Sequence, residues 1–294
     1  MTPRKQFRRL LREPGIRLQP VVYDPLGARI AEDVGFEMIA LGGFAVGAHL
    51  ATTEPLASLD DFARITRSIA LVCRLPIMVD AGAGYGEPLH VMHAVRVLEQ
   101  AGAASLHIED QYFPKRVRYH RGIEEIVPAA EMAAKIRAAL QARTDPDLLI
   151  VARTDAMRTD GYREGIRRAR LYLEAGAEAI MIFPNDEEET RRTPRDLPGV
   201  PLVYVNSTGN RFGRGVYPAT QLEEMGWKIV YDAISAVNVT ARAMRQYLTR
   251  LKETGDSGLH GEEITQVRAE LERTIGLERL YELEERGVGA DPPV

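Results

Sequence analysis

Three charged residues, Asp80, Glu109 and Arg153, each close one of three successive apolar runs of the chain. Carboxylate oxygens and water are the ligands that Mg²⁺ or Mn²⁺ prefers, and such an ion needs few ligands from the protein. A guanidinium binds a carboxylate through two parallel hydrogen bonds. Backbone amides at Gly42-Gly43 can hold a further oxygen, since glycine lets a ligand approach the main chain. This combination suits a 2-oxo or 2-hydroxy carboxylate, because its enolate-like transition state needs its negative charge neutralised.

These residues act together only if the apolar runs are neighbouring strands of one parallel sheet. Between Asp80 and Glu109 the chain has a glycine-rich loop and then a segment, 90–101, with apolar residues at helical spacing. The carboxyl ends of parallel strands lie at one rim, where α/β enzymes keep their chemistry. Runs of strand length recur, separated by helical segments, at 18–22, 36–41, 75–80, 105–109, 148–153, 179–183, 201–206 and 228–231.

Eight strands that each precede a helix match an α/β fold of the (β/α)8 TIM-barrel type better than an open sheet. We predict a catalytic barrel over residues 1–255, with an extra N-terminal helix over residues 2–13. Residues 256–294 form a C-terminal helical extension whose apolar stripe needs a partner surface, so we predict that it packs on a neighbouring subunit. The stripe consists of Ile264, Val267, Leu271, Ile275 and Leu277.

Composition narrows the class of protein. The chain has 294 residues, 45% of them hydrophobic, and a formal net charge of −4, which gives no case for binding nucleic acid or an anionic membrane. The single cysteine, Cys73, excludes an internal disulfide and suits a reducing compartment. No apolar run has the length of a membrane span, and the N-terminus lacks a signal-peptide pattern. We expect a soluble, cytoplasmic protein with a small-molecule partner.

The motifs at the predicted strand ends carry a family resemblance. Gly42-Gly43 follows strand 2, Asp80-Ala-Gly-Ala-Gly-Tyr-Gly follows strand 3, and His107-Ile-Glu109-Asp110-Gln111 with Pro114-Lys115-Arg116 follows strand 4. Ala-Arg153-Thr-Asp155-Ala follows strand 5. Taken together, these motifs make the chain resemble the isocitrate lyase and phosphoenolpyruvate mutase superfamily over roughly residues 15–250.

The resemblance implies a Mg²⁺-dependent barrel that passes through an enolpyruvate-like intermediate, with Mn²⁺ as a possible substitute. It also implies a homotetramer, a dimer of dimers in which C-terminal helices swap between subunits. By this resemblance, Asp80 is the principal metal ligand, Glu109 holds metal-bound water, and Glu54, in looser register, is an outer acid of the metal site. Arg153 binds the substrate carboxylate, and Gly42 and Gly43 form the loop that surrounds it. Lys115 begins the gating loop, and Asn206 matches the asparagine after strand 7.

Two departures from the family pattern bear on activity. Val117 stands where the family's lyases carry the cysteine that protonates the leaving carbanion, and valine transfers no proton. Tyr119 or His120 can replace that acid, although an exposed basic loop that draws in anions explains both nearly as well. Gly82 replaces the second aspartate of the metal motif, which weakens metal binding or leaves a further water there. The loop arginines, Arg116 among them, suggest a polyanionic substrate.

The leading hypothesis is a Mg²⁺-dependent carbon–carbon lyase or decarboxylase acting on a 2-oxo or 2-hydroxy di- or tricarboxylate. Lys115, Arg116, Tyr119, His120 and Arg153 are its candidate catalytic residues. Decarboxylation is compatible with Val117, because CO₂ leaves as a neutral molecule. The alternatives are a phosphonomutase or phosphonopyruvate hydrolase, which acts on a P–C bond, and a catalytically inactive carboxylate-binding homologue. His107 lies inside a strand, which favours a hydrogen-bonded core histidine over a metal ligand.

Overall fold

The predicted barrel is present in the computed structural model, which describes residues 1–122, 125–210 and 213–288. All strand pairs are parallel, in the order β1-β8-β7-β6-β5-β4-β3-β2. The Val22 amide donates to the Ala40 carbonyl (2.9 Å), which joins the ends of the first two strands. The strands are β1 Arg17–Pro20, β2 Ile39–Leu41, β3 Ile77–Asp80, β4 Ser105–Glu109, β5 Leu149–Thr154, β6 Ala179–Ile182, β7 Leu202–Asn206 and β8 Ile229–Asp232.

Helices surround the strands and continue beyond the barrel. Two short ones, α3 and α7, directly follow β2 and β5 and have too few residues to show a helical period in the sequence. Turns of 3₁₀ helix cover Glu54–Leu56 and Val117–Arg121. The α-helices are α1 Pro3–Arg12, α2 Pro25–Val34, α3 Gly43–His49, α4 Leu59–Ala70, α5 Pro88–Gln100, α6 Ala129–Ala142, α7 Ala156–Thr159, α8 Tyr162–Glu174, α9 Glu187–Asp196, α10 Ala219–Met225, α11 Ser235–Thr254, α12 Gly261–Thr274 and α13 Leu277–Val288.

The predicted N-terminal helix closes one end of the barrel. Phe7 and Leu10 of α1 are fully buried in the cluster of side chains that fills the barrel interior. Arg4 donates to the Ala103 carbonyl (3.0 Å) and Arg8 to the Pro146 carbonyl (2.7 Å), both just before strands begin. Because α1 covers the amino ends of the strands, only the carboxyl ends remain open for a site.

The C-terminal helices leave apolar side chains uncovered. No residue of α11 or α12 is buried, and Val267, Leu271 and Ile275 keep 49%, 44% and 54% of their surface exposed. The end of α12 is tied to its own barrel, where Thr274 donates its hydroxyl to Asp33 (2.7 Å) and accepts from Arg29 at its carbonyl (3.1 Å). Residues 289–294 of the predicted extension lie outside the described residues, and its packing on a neighbouring subunit stays a prediction.

None of the helices in the described ranges combines the length and the apolar composition needed to cross a bilayer.

We expect Phe7→Ala to lower the free energy of unfolding by about 3–5 kcal/mol, because it removes a fully buried aromatic ring from the barrel interior. Urea unfolding monitored by circular dichroism measures the change. Arg12→Ala is the matched control, since Arg12 is exposed on the same helix, and it should stay within about 0.5 kcal/mol of the wild type. Equal stability of the two variants would show that α1 does not contribute to the core.

Candidate active site

A cavity of about 620 Å³ opens at the carboxyl ends of the strands. Most of the residues predicted from the sequence line it, namely Gly42, Gly43, Glu54, Asp80, Lys115, Tyr119, His120 and Arg153. Glu109 is fully buried beside Lys115 and Arg153. Arg116 is exposed on the loop, and neither it nor Asn206 is among the lining residues.

Asp80 is held at the end of β3 by two backbone amides. The Gly43 amide donates to Oδ2 (3.0 Å) and the Gly82 amide donates to Oδ1 (2.8 Å). Burial opposes ionisation of Asp80, but the neighbouring His107, the charges of Lys115 and Arg153 and the hydrogen bond from the Gly82 amide together lower its pKa. Asp80 is therefore an oriented, ionised carboxylate. The Gly43 amide, which we predicted would hold a substrate oxygen, donates its hydrogen bond to Asp80 in this structure.

Glu109 lies between two cations. Strand register pairs it with Arg153, whose NH1 is 3.1 Å from Oε2, and the Lys115 ammonium is 2.9 Å from Oε1. Burial raises the pKa of Glu109 to about 7, against the opposing effect of Arg153 and Lys115. Glu109 Oε1 is buried and accepts no hydrogen bond from the described residues.

The ion pairs continue in both directions from Glu109. Lys115 is 2.6 Å from Oε1 of Glu54, and Arg153 is 3.2 Å from Oδ2 of Asp155. We call this series, Glu54–Lys115–Glu109–Arg153–Asp155, the charge chain. Burial alone would lower the pKa of Lys115, but the carboxylates of Glu109 and Glu54 raise it. Lys115 is therefore charged, and it connects the loop after β4 to the barrel rim.

Two further residues of the same loop, Tyr119 and His120, contact Glu54 and Thr53. The Tyr119 hydroxyl donates to Oε2 of Glu54 (2.5 Å), and Nε2 of His120 is 2.7 Å from the Thr53 hydroxyl. Burial and the Glu54 carboxylate raise the pKa of Tyr119, which keeps the phenol protonated. Tyr119 therefore acts here as a hydrogen-bond donor that orients Glu54.

Gly42 and Gly43 are required by close packing. A Cβ on Gly43 would lie 2.3 Å from Cδ of Glu54, and one on Gly42 would lie 2.7 Å from the Tyr231 hydroxyl. The absence of side chains at these positions lets Glu54 and Tyr231 approach the rim.

Asn206 occupies the predicted end of β7, but its side chain is used by the protein itself. Its Nδ2 donates to the Tyr217 carbonyl (2.8 Å), and its Oδ1 accepts from the Tyr217 amide (3.3 Å). In this conformation Asn206 braces the loop after β7. The role of substrate binding stays a prediction for Asn206, as the catalytic role does for Arg116.

His107 is buried as expected, but it is not hydrogen-bonded. Neither ring nitrogen has a hydrogen-bond partner among the described residues, and Nδ1 is 3.6 Å from Oδ1 of Asp80. Strand register places His107 directly beside Asp80. Burial lowers the pKa of His107, so the ring is neutral. The expected burial of His107 is confirmed, but its ring faces the cavity and lies beside Asp80 without the expected hydrogen bond among the described residues.

Other cavity residues were not identified from the sequence. Phe183, Arg158, Arg214 and Tyr231 line the cavity beyond the charge chain. Arg158 follows Asp155 by three residues, and Arg214 lies in a glycine-containing loop after β7. Their positions after strands were the only feature of the sequence that could have identified them as cavity residues. Arginine in a loop more often faces solvent, and only the fold shows that these two turn inward.

The donor set fits a hard divalent cation. Glu54, Asp80 and Glu109 present only carboxylate oxygens, which Mg²⁺ prefers, and buried Oε1 of Glu109 has no hydrogen-bond partner among the described residues besides its ion pair with Lys115. Within the described residues no three such side chains converge as a closed ligand set. An ion held here would therefore keep several waters, as Mg²⁺ commonly does.

Comparison with known proteins identifies the family. The family described as phosphoenolpyruvate phosphomutase matches residues 7–252. The chain belongs to this family. It is 38% identical over 254 residues to the 2-methylisocitrate lyase of Aeropyrum pernix, covering 85% of this chain and 80% of that protein. It is 37% identical over 260 residues to the oxaloacetate decarboxylase of Pseudomonas fluorescens, covering 85% of this chain and 87% of that protein.

Solved structures agree on the fold. A crystal structure of 2,3-dimethylmalate lyase, a member of the PEP mutase/isocitrate lyase superfamily, superposes with a TM-score of 0.89 at 30% identity, covering 100% of this chain and 99% of that one. A phosphonopyruvate hydrolase in complex with oxalate and Mg²⁺ superposes with a TM-score of 0.84 at 28% identity, covering 97% and 99% of the two chains. The family resemblance and the barrel predicted from the sequence are confirmed.

The position of Lys115 between two carboxylates leads to a stability prediction. Lys115→Met leaves Glu54 without its cation and Glu109 with Arg153 alone, and breaking a buried ion pair in this way costs about 3–5 kcal/mol. We expect a lower melting temperature without metal and a larger rise on addition of MgCl₂ than in the wild type.

The matched control for Lys115→Met is the double variant Lys115→Met/Glu54→Gln, which removes one of the two repelling charges. Its melting temperature without metal should recover part of the loss. Differential scanning calorimetry with and without MgCl₂ measures both variants. A Lys115→Met variant as stable as the wild type would show that the ion pairs of Lys115 contribute little.

Proposed function

We propose that this protein is a Mg²⁺-dependent carbon–carbon lyase or decarboxylase that acts on a 2-oxo or 2-hydroxy di- or tricarboxylate. The observation that carries the proposal is the charge chain, which joins metal-type carboxylates to a carboxylate-binding arginine at one barrel mouth. Glu109 makes this connection, since Lys115 and Arg153 both contact it. A site that only bound a carboxylate would not need the acids.

Arg153 is prepared to bind the carboxylate next to the reacting carbon. Asp155 holds NH2 of Arg153 (3.2 Å), and Gln111 in turn donates its amide to Asp155 (2.6 Å). The Nε atom of Arg153 is buried and has no hydrogen-bond partner among the described residues. An oriented guanidinium loses little freedom when it binds a substrate, so its binding energy serves to position the bond that breaks.

The remaining residues stabilise negative charge and exclude water. Mg²⁺ held by the carboxylates would polarise the 2-oxo or 2-hydroxy oxygen of the substrate. When the C–C bond breaks, its electron pair moves into the enolate, and the ammonium of Lys115 lies at the same rim to stabilise that charge. Lys115, Tyr119 and His120 of the loop after β4 line the cavity, where they would limit the access of solvent to the enolate.

The loop after β4 supports decarboxylation within this class. Val117, at the position of the family's cysteine, is 55% exposed and is not among the residues that line the cavity. Because CO₂ leaves neutral, loss of CO₂ requires no acid at that point, whereas cleavage to two acids requires a proton donor for the second product. The similarity to an oxaloacetate decarboxylase agrees with this assignment.

The second candidate is P–C bond chemistry. The matching family is described as phosphoenolpyruvate phosphomutase, and a phosphonopyruvate hydrolase structure superposes closely. Phosphonopyruvate and oxaloacetate share the 2-oxo carboxylate that Arg153 and a metal would hold. The two candidates therefore differ in the group that leaves, and product analysis separates them.

The experiment measures turnover of oxaloacetate, 2-methylisocitrate, isocitrate, 2,3-dimethylmalate and phosphonopyruvate with and without MgCl₂. We expect metal-dependent release of pyruvate, from oxaloacetate above all. Asp80→Asn keeps the shape of the side chain but removes its charge, and it should lower kcat by about 10²–10³-fold, the usual loss for one electrostatic group.

Three other outcomes of this panel would change the assignment. Phosphate release from phosphonopyruvate alone would establish the second candidate. If none of the substrates is turned over but oxalate still raises the melting temperature in MgCl₂, the site is intact and acts on another substrate. If none is turned over and oxalate does not change the melting temperature, the protein is a catalytically inactive homologue.

We further propose that the protein forms a cytoplasmic homotetramer in which α11–α13 pack on neighbouring subunits. The exposed apolar residues of these helices support this assembly, since contiguous apolar surface is typical of subunit interfaces. Val267, Leu271 and Ile275 recur every four residues and therefore share one face of α12.

Leu271→Glu places a charge on this apolar face, so we expect it to dissociate the assembly into smaller species in analytical ultracentrifugation. Gln266→Glu is the matched control, because it adds the same charge at an exposed position of the same helix. The control should sediment as the wild type does. If Leu271→Glu also did so, the apolar face of α12 would lie outside the interface.

A further inference from the structure

A second group of cationic residues lines the cavity beyond the charge chain. Three guanidiniums surround the ring of Phe183: their central carbons lie 4.8 Å (Arg153), 5.6 Å (Arg158) and 4.9 Å (Arg214) from its centroid. Arg153 belongs to both groups, so the two parts of the cavity are continuous. This wall is strongly positive next to the site that holds the first carboxylate.

The charges on this wall are not equally balanced. Arg153 pairs with Glu109 and Asp155, and Arg158 lies 3.7 Å from Asp155. For Arg214, no carboxylate of the described residues lies within ion-pair distance. Its guanidinium donates to the Val205 carbonyl (2.5 Å) and otherwise packs on aromatic rings. Its charge has no counter-ion there.

Arg214 is also buried and incompletely hydrogen-bonded. It keeps only 7% of its surface exposed, and its Nε atom has no partner among the described residues. Burial, reinforced by the positive charges of Arg158 and Arg153, lowers the pKa of Arg214 to about 10, which leaves it charged at neutral pH. A buried charge without a counter-ion is costly, and an anion bound from solution would reduce that cost.

The loop after β7 is folded so that Arg214 faces the cavity. The side chain of Asn210 accepts from the Arg214 amide (3.1 Å) and donates to the Arg214 carbonyl (3.1 Å). Ser207, Thr208 and Asn238 line the same cavity and add hydroxyl and amide groups to its wall. Such groups commonly complete the hydrogen bonding of a bound carboxylate.

We propose that Arg214, together with Arg158, forms a subsite for a second carboxylate of the substrate. Arg153 and the metal-type acids hold the first carboxylate, and the subsite at Phe183 holds the distal one. This inference rests on the proposed function and names the residues that would hold the second carboxylate of such a substrate. A cavity of 620 Å³ is far larger than a two-carbon dianion requires, which agrees with a longer substrate.

The test compares two anionic probes by isothermal titration calorimetry in MgCl₂. Oxalate has no distal carboxylate, whereas 3,3-difluorooxaloacetate has one. Arg214→Gln should raise the Kd of difluorooxaloacetate by about 10- to 100-fold, because charge-assisted hydrogen bonds are lost. The Kd of oxalate should stay within about threefold of the wild type, because the first subsite is separate.

Two further variants make the result specific. Arg158→Gln should also raise the Kd of difluorooxaloacetate. This variant tests the subsite if Arg214→Gln does not fold. Arg195→Gln removes an exposed guanidinium on α9 and should change neither Kd. Far-ultraviolet circular dichroism of each variant verifies the fold.

Several results would overturn the inference. If folded Arg214→Gln and Arg158→Gln bound difluorooxaloacetate as tightly as the wild type, the subsite would not exist, although oxalate binding would leave the proposed function standing. If Arg214→Gln raised the Kd of both probes by the same factor, Arg214 would be a structural residue. Phosphonopyruvate binding tighter than difluorooxaloacetate, with the same dependence on Arg214, would assign the subsite to a phosphonate. If the wild type bound neither probe, the proposed function itself would fail.

Discussion

The burial of Glu109 between Lys115 and Arg153 is the interaction on which the open end of the barrel depends. A carboxylate with no solvent exposure is stable only if it is paired or protonated, and here two cations pair with it from different directions. Through Lys115 it holds the loop after β4, and through Arg153 it holds the end of β5. The charge chain thus links the loop after β4 to the strands of the barrel.

This arrangement explains why the acids and the arginines occupy one cavity without neutralising each other completely. On the side of Glu54 and Asp80, carboxylates dominate and suit a divalent cation. On the side of Phe183, guanidiniums dominate and suit the carboxylates of a substrate. A polyanion with one end at each side would meet complementary charge along its length.

The barrel supplies rigidity in two ways. The helix α1 fills its amino end with Phe7 and Leu10, so that the strand ends at the other side are supported from beneath. Short-range backbone bonds then orient individual groups, as when the amides of Gly43 and Gly82 fix the carboxylate of Asp80. Preorganised charge costs no rearrangement during the reaction, which is the main way in which such sites stabilise an enolate.

Much of the fold and part of the site could be predicted from the sequence. Eight apolar runs of strand length separated by helical segments favour a (β/α)8 barrel over an open sheet, because a closed parallel sheet surrounded by helices buries the apolar residues of all of them. Residues at the ends of strands, such as Asp80, Glu109 and Arg153, were found because parallel strands end at one rim.

Only the tertiary structure decided the register and the direction of the loop residues. Register places His107 and not Glu109 beside Asp80, and a shift along a strand leaves the apolar pattern of a buried sheet almost unchanged. Arg158 and Arg214 look like ordinary loop arginines in the sequence, yet they turn inward around Phe183, whereas the predicted Arg116 turns outward. The sequence by itself determined the barrel and the strand-end charges. Which loop charges enter the cavity depended on long-range packing, for which a single sequence has no local signal.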